Sequence, residues 1–219
     1  NALVDMGLKK GDRVGLMLPR IPELVASFLA VARAGGIVVP VNFELKCEDA
    51  ETIIRCISPR FLVVYGQFLG LARRVSQSDP RISIITVDGA MGGTFEWNEI
   101  LRNQKRDNPP CEIKNDDIVY LNYTSGSTGN HKGAITTHSN IYWNTLSSID
   151  ALGLKPDDVH LCMFAPFAHP HEIFARSLYL GGTMVLVDKI YPKSLADAIS
   201  THRVTCMMGL APMYQNLLD

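Results

Sequence analysis

The chain has 219 residues, 47% of them hydrophobic and 20% charged, with a formal net charge of −1. That length supports one large domain or two small ones around a substantial core, and the near-zero charge gives no field to attract DNA, RNA or an anionic membrane, so nucleic acid is not an expected partner. The longest apolar run, LVASFLAVARAGGIVVPV, is broken by Arg33, Gly35, Gly36 and Pro40, so no transmembrane segment is expected where a bilayer span needs about 20 apolar residues.

In chain order, RVGLMLP predicts a strand and Pro22 to Ala34 an amphipathic helix. GIVVPV is the next strand, followed by a helix over Glu48 to Ile57 that must stop at Ser58-Pro59. FLVVY, a helix through Leu71 and Val75, and ISIITV continue the alternation, and a helix near Trp97 to Gln104 leads into NQKRDNPP, a surface connection. DIVYLNYT and GAITTH are predicted strands flanking a polar loop, and a helix should start after His138 with Ser139 or Asn140 near its cap. VHLCMF, a helix over Ile173 to Leu180, TMVLV, a helix over Ser194 to His202, VTCMMG and a helix after Pro212 complete the series. Nearly continuous β-branched strands alternating with helices predict an α/β fold of largely parallel sheets flanked by helices. Residues 1–137 would form a first lobe and 138–219 the start of a second.

Five cysteines (Cys47, Cys56, Cys111, Cys162, Cys206) are scattered without CxxC spacing. They read as buried, inert thiols in a reducing cytoplasm, not as a disulfide framework or a zinc site. His169 and His171 in HPHE have no second ligand pair at conventional spacing, so no metal site is expected. Met163, Met184, Met207, Met208 and Met213 read as filling core gaps.

The stretch YTSGSTGNHKG, Tyr123 to Gly133, carries the chemistry. A phosphate loop aims backbone N–H groups at oxygen atoms and adds hydroxyl donors and a cation. Gly126 and Gly129 allow close approach, Thr124, Ser125, Ser127 and Thr128 supply hydroxyls, and Lys132 supplies the cation. Serine, glycine and threonine clusters are also common linkers, but this one is clamped between two predicted strands. A Walker A loop is excluded because His131-Lys132-Gly133 lacks the Gly-Lys-Ser/Thr order, and a dinucleotide fingerprint because the loop leads to a strand. SGSTG is not a serine-hydrolase elbow either, since Ser125 stands two residues before Ser127.

The same stretch closely resembles the phosphate-loop signature of the adenylate-forming family of acyl- and aryl-CoA synthetases, luciferases and peptide-synthetase adenylation domains. LAVARAGGIVVPVN and ISPRFLVV upstream, and APFAHPHEIFARSLYLGGTMVLV and VTCMMGLAPMYQNLL downstream, resemble further blocks of that family in the same order. The resemblance implies the N-terminal portion of an acyl-CoA synthetase-like ligase using ATP, Mg2+ and CoA. A carboxylic acid and ATP would give an acyl-adenylate and pyrophosphate, and CoA or a pantetheine thiol would take the acyl group. It implies that Thr124, Ser125, Gly126, Ser127, Thr128, Gly129 and Lys132 cradle the phosphates, and that His169 borders the acyl pocket and the adenylate. The family's proline before the lysine is replaced by His131, and the glycine three residues after its histidine by Glu172. The family's adenine-binding segment, threonine–glutamate pair, ribose-gripping aspartate and C-terminal lysine domain have no counterpart here. The chain therefore reads as a piece of a larger enzyme, a little under half of a typical member, whose partners include the remainder of its own parent. Such a piece should be inactive by itself. The alternative is a degenerate, non-catalytic module that binds a nucleotide or an acyl group.

Overall fold

The computed structural model describes residues 1–124 and 132–218. Ser125, Gly126, Ser127, Thr128, Gly129 and His131 lie outside the described residues. The chain divides into two compact units, one of residues Asn1–Leu18 with Glu23–His138, the other of Pro19–Pro22 with the residues from Ser139 onward.

The first unit contains α1 (Ala2–Asp5), β1 (Arg13–Met17), α2 (Pro22–Arg33), β2 (Ile37–Pro40), α3 (Cys47–Ile57), β3 (Phe61–Val64), α4 (Leu69–Ser78), β4 (Ser83–Thr86), β5 (Phe95–Glu96), α5 (Trp97–Leu101), β6 (Ile118–Thr124) and β7 (Lys132–Thr137). Its strands form a seven-stranded sheet in the order β5-β4-β3-β1-β2-β6-β7, parallel except for the β6–β7 pair. All four residues of β3 are buried, as a strand covered on both faces requires. Helix α3 buries Ala50, Ile53, Ile54 and Ile57, one stripe at helical spacing. It ends at Ser58, which is left-handed (φ 42°), and Pro59 cannot continue it.

Helix α2 shows why two glycines follow it. The N–H groups of Gly35 and Gly36 return to the carbonyls of Ala32 and Val31 at 3.1 and 2.9 Å, and Gly35 has φ +74°, a Schellman ending. A Cβ on Gly35 would lie 2.6 Å from Cys111 Sγ. From β1 the chain runs to β2 on one side, then crosses to β3 on the other. Beside such a reversal, at the carboxyl ends of parallel strands, open sheets offer their ligand crevice. Strand β6 ends at Thr124 on that carboxyl edge, because it runs parallel to β2.

The second unit contains α6 (His138–Leu152), β8 (Val159–Cys162), a 3-10 turn (Pro170–Ile173), α7 (Ala175–Leu180), β9 (Thr183–Val185), α8 (Pro192–His202), β10 (Cys206–Met208) and α9 (Ala211–Leu218). The strands form a parallel sheet in the order β10-β8-β9. One face buries Leu161, Met163, Val185 and Leu195, with Met207, Met213 and Tyr214 packed against them. The guanidinium of Arg20 donates to the carbonyls of Val187, Phe164 and Asp188 at 2.8, 3.0 and 3.0 Å.

The structure corrects several expectations. Helix α6 begins at His138, whose N–H donates to Asp117 O at 3.1 Å, rather than after it. The expected helix over 173–180 is two pieces, because Phe174 (φ −133°, ψ −21°) leaves the helical region between the 3-10 turn and α7. Helix α5 stops at Leu101 because Arg102 is extended (ψ 133°), and the short strand β5 was not expected. Cys47 and Cys56 are exposed, and Cys111 and Cys206 are half-buried, so only Cys162 fits the buried-thiol reading. The two exposed thiols sit on α3 outside its buried stripe.

Candidate active site

Strands β6 and β7 form an antiparallel hairpin with Thr124 opposite Lys132 and Tyr123 opposite Gly133. The sequence-predicted Thr124 and Lys132 are therefore ladder neighbours at the carboxyl edge of the sheet. The side chain of Lys132 is exposed. A Cβ on Gly133 would come within 3.3 Å of Tyr123 Cζ and 3.4 Å of Cε2, so the glycine after the lysine makes room for the ring across the ladder. Burial pushes the Tyr123 phenol pKa up. Sequence reasoning gave Tyr123 no role, although its place two residues before the serine run was visible.

The other end of the hairpin is pinned. Lys10 Nζ lies 2.5 Å from Asp117 Oδ2, and the N–H of Lys114 donates to the same carboxylate oxygen at 2.7 Å. The Lys10 hydrogen bond, then the Lys114 N–H, holds the Asp117 carboxyl below its usual range.

His169, in the second unit, is exposed and precedes the 3-10 turn without a side-chain capping bond. Its carbonyl accepts the N–H of Glu172 at 3.1 Å. The Glu172 carboxylate meets Arg176 Nη1, and Glu172 Oε1 lies 3.3 Å from His171 Nε2. Arg176 Nη2 donates to the carbonyl of Glu172 at 2.8 Å. Arg176 is 2% exposed and His171 7%. Burial alone would raise the Glu172 pKa, but hydrogen bonds from His171 and Arg176 and their charge outweigh it and lower the pKa to about 2. Glu172, Arg176, His160, Cys162 and Cys206 border a cleft of about 10 Å³, room for roughly one water. His160 Nε2 is buried there without a hydrogen-bond partner, and burial lowers its pKa.

Among the described residues no group of three or more His, Cys, Asp or Glu side chains could hold a metal ion. A separate cavity of about 370 Å³ in the first unit carries Arg33, Lys105 and Arg106 beside Asp107; none of the candidate site residues predicted from the sequence lines it. No described helix is long and apolar enough to cross a membrane.

The comparisons with known proteins agree with one another. The family model for AMP-binding enzymes matches residues 1–219. The chain is 32% identical over 168 residues to the uncharacterized acyl-CoA ligase YtcI of Bacillus subtilis, covering 75% of this chain and 31% of that one. It is 28% identical to the crotonobetaine/carnitine-CoA ligase of Escherichia coli, covering 100% of this chain and 44% of that one. The crystal structure of the anthranilate CoA ligase AuaEII in complex with anthranoyl-AMP superposes with a TM-score of 0.87 at 28% identity, over 94% of this chain and 41% of that one. The chain thus spans less than half the length of these proteins, and matches the N-terminal part of their fold. With the whole sequence under one family model, and Lys132 paired opposite Thr124 at the carboxyl edge of a largely parallel sheet, the chain belongs to the AMP-binding enzyme family.

Proposed function

We propose that this chain is the N-terminal portion of an AMP-forming acid–thiol ligase. The parent joins a carboxylic acid to ATP, releasing pyrophosphate, and then passes the acyl group from the adenylate to the thiol of CoA or a pantetheine carrier. The observation that carries this reading is the family match across residues 1–219, joined to the exposed Lys132 opposite Thr124 at the mouth of the β6–β7 hairpin.

Attack of a carboxylate on the α-phosphate transfers negative charge to the departing pyrophosphate. A cation and fixed donors placed where that charge grows lower the barrier. Lys132 is the cation, and Thr124, Ser125, Gly126, Ser127, Thr128 and Gly129 are the proposed donors. Mg2+, when bound with the nucleotide, supplies further neutralisation of the triphosphate; the described side chains assemble no site of their own for it. His169 borders the acyl group and the adenylate in this reading. Its imidazole, exposed and without a capping bond, is available to do so. The acid, whether fatty, aryl or short, is left to experiment. The 219-residue chain alone is inactive in this proposal, and its setting is the cytoplasm, consistent with five cysteines free of disulfides.

Carboxylate-dependent ATP–pyrophosphate exchange by the whole protein, over short, long-chain and aromatic acids, tests the proposal. Exchange with one class supports it and identifies the substrate class. ATP binding without exchange across the panel would favour a non-catalytic binding module, for which the replacement of the family's proline by His131 is the motivating feature. Lys132→Ala should slow adenylation by about 10²-fold or more and thioester formation far less. Equal loss in both half-reactions would remove the leaving-group role.

A further inference from the structure

We infer that Glu172 is a positioning residue for His169, locking the turn that carries it through a clamp to Arg176. The inference rests on the proposed role of His169 and goes beyond it, because the family pattern has glycine at this place and assigns the residue nothing.

The geometry makes residue 172 the hub of its turn. Its N–H holds the carbonyl of His169 at 3.1 Å. Its own carbonyl takes Arg176 Nη2 at 2.8 Å, while its carboxylate takes Arg176 Nη1 and the imidazole of His171. Arg176 thus grips both the main chain and the side chain of one residue from the first turn of α7. The planar guanidinium presents two nitrogens in a fixed fork to these two acceptors, where an ammonium would offer a single mobile nitrogen. Glycine at 172 could form the main-chain bonds only.

A second role for a carboxylate beside an acyl pocket would be to bind an acid that carries a cationic group. The structure argues against that role. Both carboxylate oxygens already have cationic or imidazole partners, and the cleft that Glu172 borders measures about 10 Å³, too small for any organic acid. The charge is spent on the fold of the turn.

The test is a cycle in the whole protein, read by ATP–pyrophosphate exchange with its preferred acid. Glu172→Gln should lower kcat about 10- to 100-fold, the scale of a misplaced catalytic group, with KM for ATP and acid within about twofold. In a His169→Ala background the same change should alter kcat by less than about twofold, since a residue acting through His169 has nothing left to position. An equal drop in both backgrounds would reduce Glu172 to a structural role and leave the His169 reading intact. No effect of His169→Ala alone would sink that reading and the inference with it. A reversed preference between a cationic acid and its neutral isostere in Glu172→Gln would make Glu172 a substrate contact instead. If Glu172→Gln does not fold, Glu172→Asp keeps the charge but shortens its reach, and should show the same kcat loss at constant KM. Arg176→Lys gives a readout independent of activity: hydrogen exchange of the Glu172 amide should quicken at least about tenfold as its bond to His169 loosens. Unchanged exchange there overturns the inference even in a protein that activates no acid.

Discussion

The two sheets are built from different materials. In the seven-stranded sheet the inner strands bury hydrocarbon on both faces; Phe61, Leu62, Val63 and Val64 are each at most 1% exposed. The three-stranded sheet has one hydrocarbon face, where Leu161 and Met163 meet α8 and α9. Its other face presents His160, Cys162 and Cys206 to the turn and helix holding Glu172 and Arg176. A sheet closed by hydrocarbon alone is indifferent to pH and charge. A sheet closed on one side by a buried ion cluster depends on every member of that cluster being present.

The sharpest way to break the comparison is to remove one ion. In the whole protein, Arg176→Met should cost the second unit about 3–5 kcal/mol, because it leaves the Glu172 carboxylate buried without its cation. Hydrogen exchange of the β8 amides would report this. Removing both charges, as Glu172→Leu with Arg176→Met, should restore most of the loss. A double variant as unstable as the single one would show that the cluster does more than neutralise itself. On the apolar face, Leu161→Ala should cost about 2–5 kcal/mol, as a cavity of that size does, and no second substitution of charge should repair it.

Acid separates the two sheets further. His160 has a lowered pKa, so its contribution is present above its unfolded value of about 6.5 and falls away as pH drops below that toward the folded value. Glu172 is shifted from 4.5 to about 2, so its contribution, at most about 3 kcal/mol, is complete above pH 4.5 and lost as pH falls toward 2. Protection of the β8 amides, corrected for the intrinsic pH dependence of exchange, should therefore fall below about pH 6.5 and again below about 4.5, while β3 stays protected. Coincident loss in both sheets would contradict this. The smallest expected effect is Gly133→Ala. The new Cβ needs Tyr123 to yield by a few tenths of an ångström, and a stability change within about 1 kcal/mol is expected by thermal unfolding.

What was legible in the sequence follows from range. The β-branched runs at 37–41 and 61–65, Pro22 at a helix start and Ser58-Pro59 at a helix stop are local signals, and the structure has strands and helix ends there. Both strands flanking the polar loop were legible, but not their antiparallel pairing. The 3-10 turn at Pro170–Ile173 was hidden inside what reads as helix, since Ile173 to Leu180 has helical spacing and only Phe174 breaks it. The four-residue spacing of Glu172 and Arg176 was visible, but not its burial, which depends on strands β8 and β10. Exposure of Cys47 and Cys56 was equally invisible, because it depends on which face of α3 is covered. The site on paper was thus a list of residues; the ladder that sets Thr124 opposite Lys132 and the ion pair of Glu172 with Arg176 are tertiary facts.

Arg20 carries a consequence for how such a chain is made and rearranged. Its three carbonyl partners stand 144 to 168 residues further along the sequence. Synthesis delivers the arginine early and its acceptors late, so this clamp of the second unit closes only after the first unit's strands have been made. Closing so long a loop adds little entropic cost over a shorter one, since that cost grows with the logarithm of length, but it delays the contact. Recombination that swaps material at His138/Ser139 would import a second unit without its arginine. A gene-level exchange of these units keeps the clamp where the recipient already has arginine at position 20 or where Pro19–Pro22 travels with the later segment.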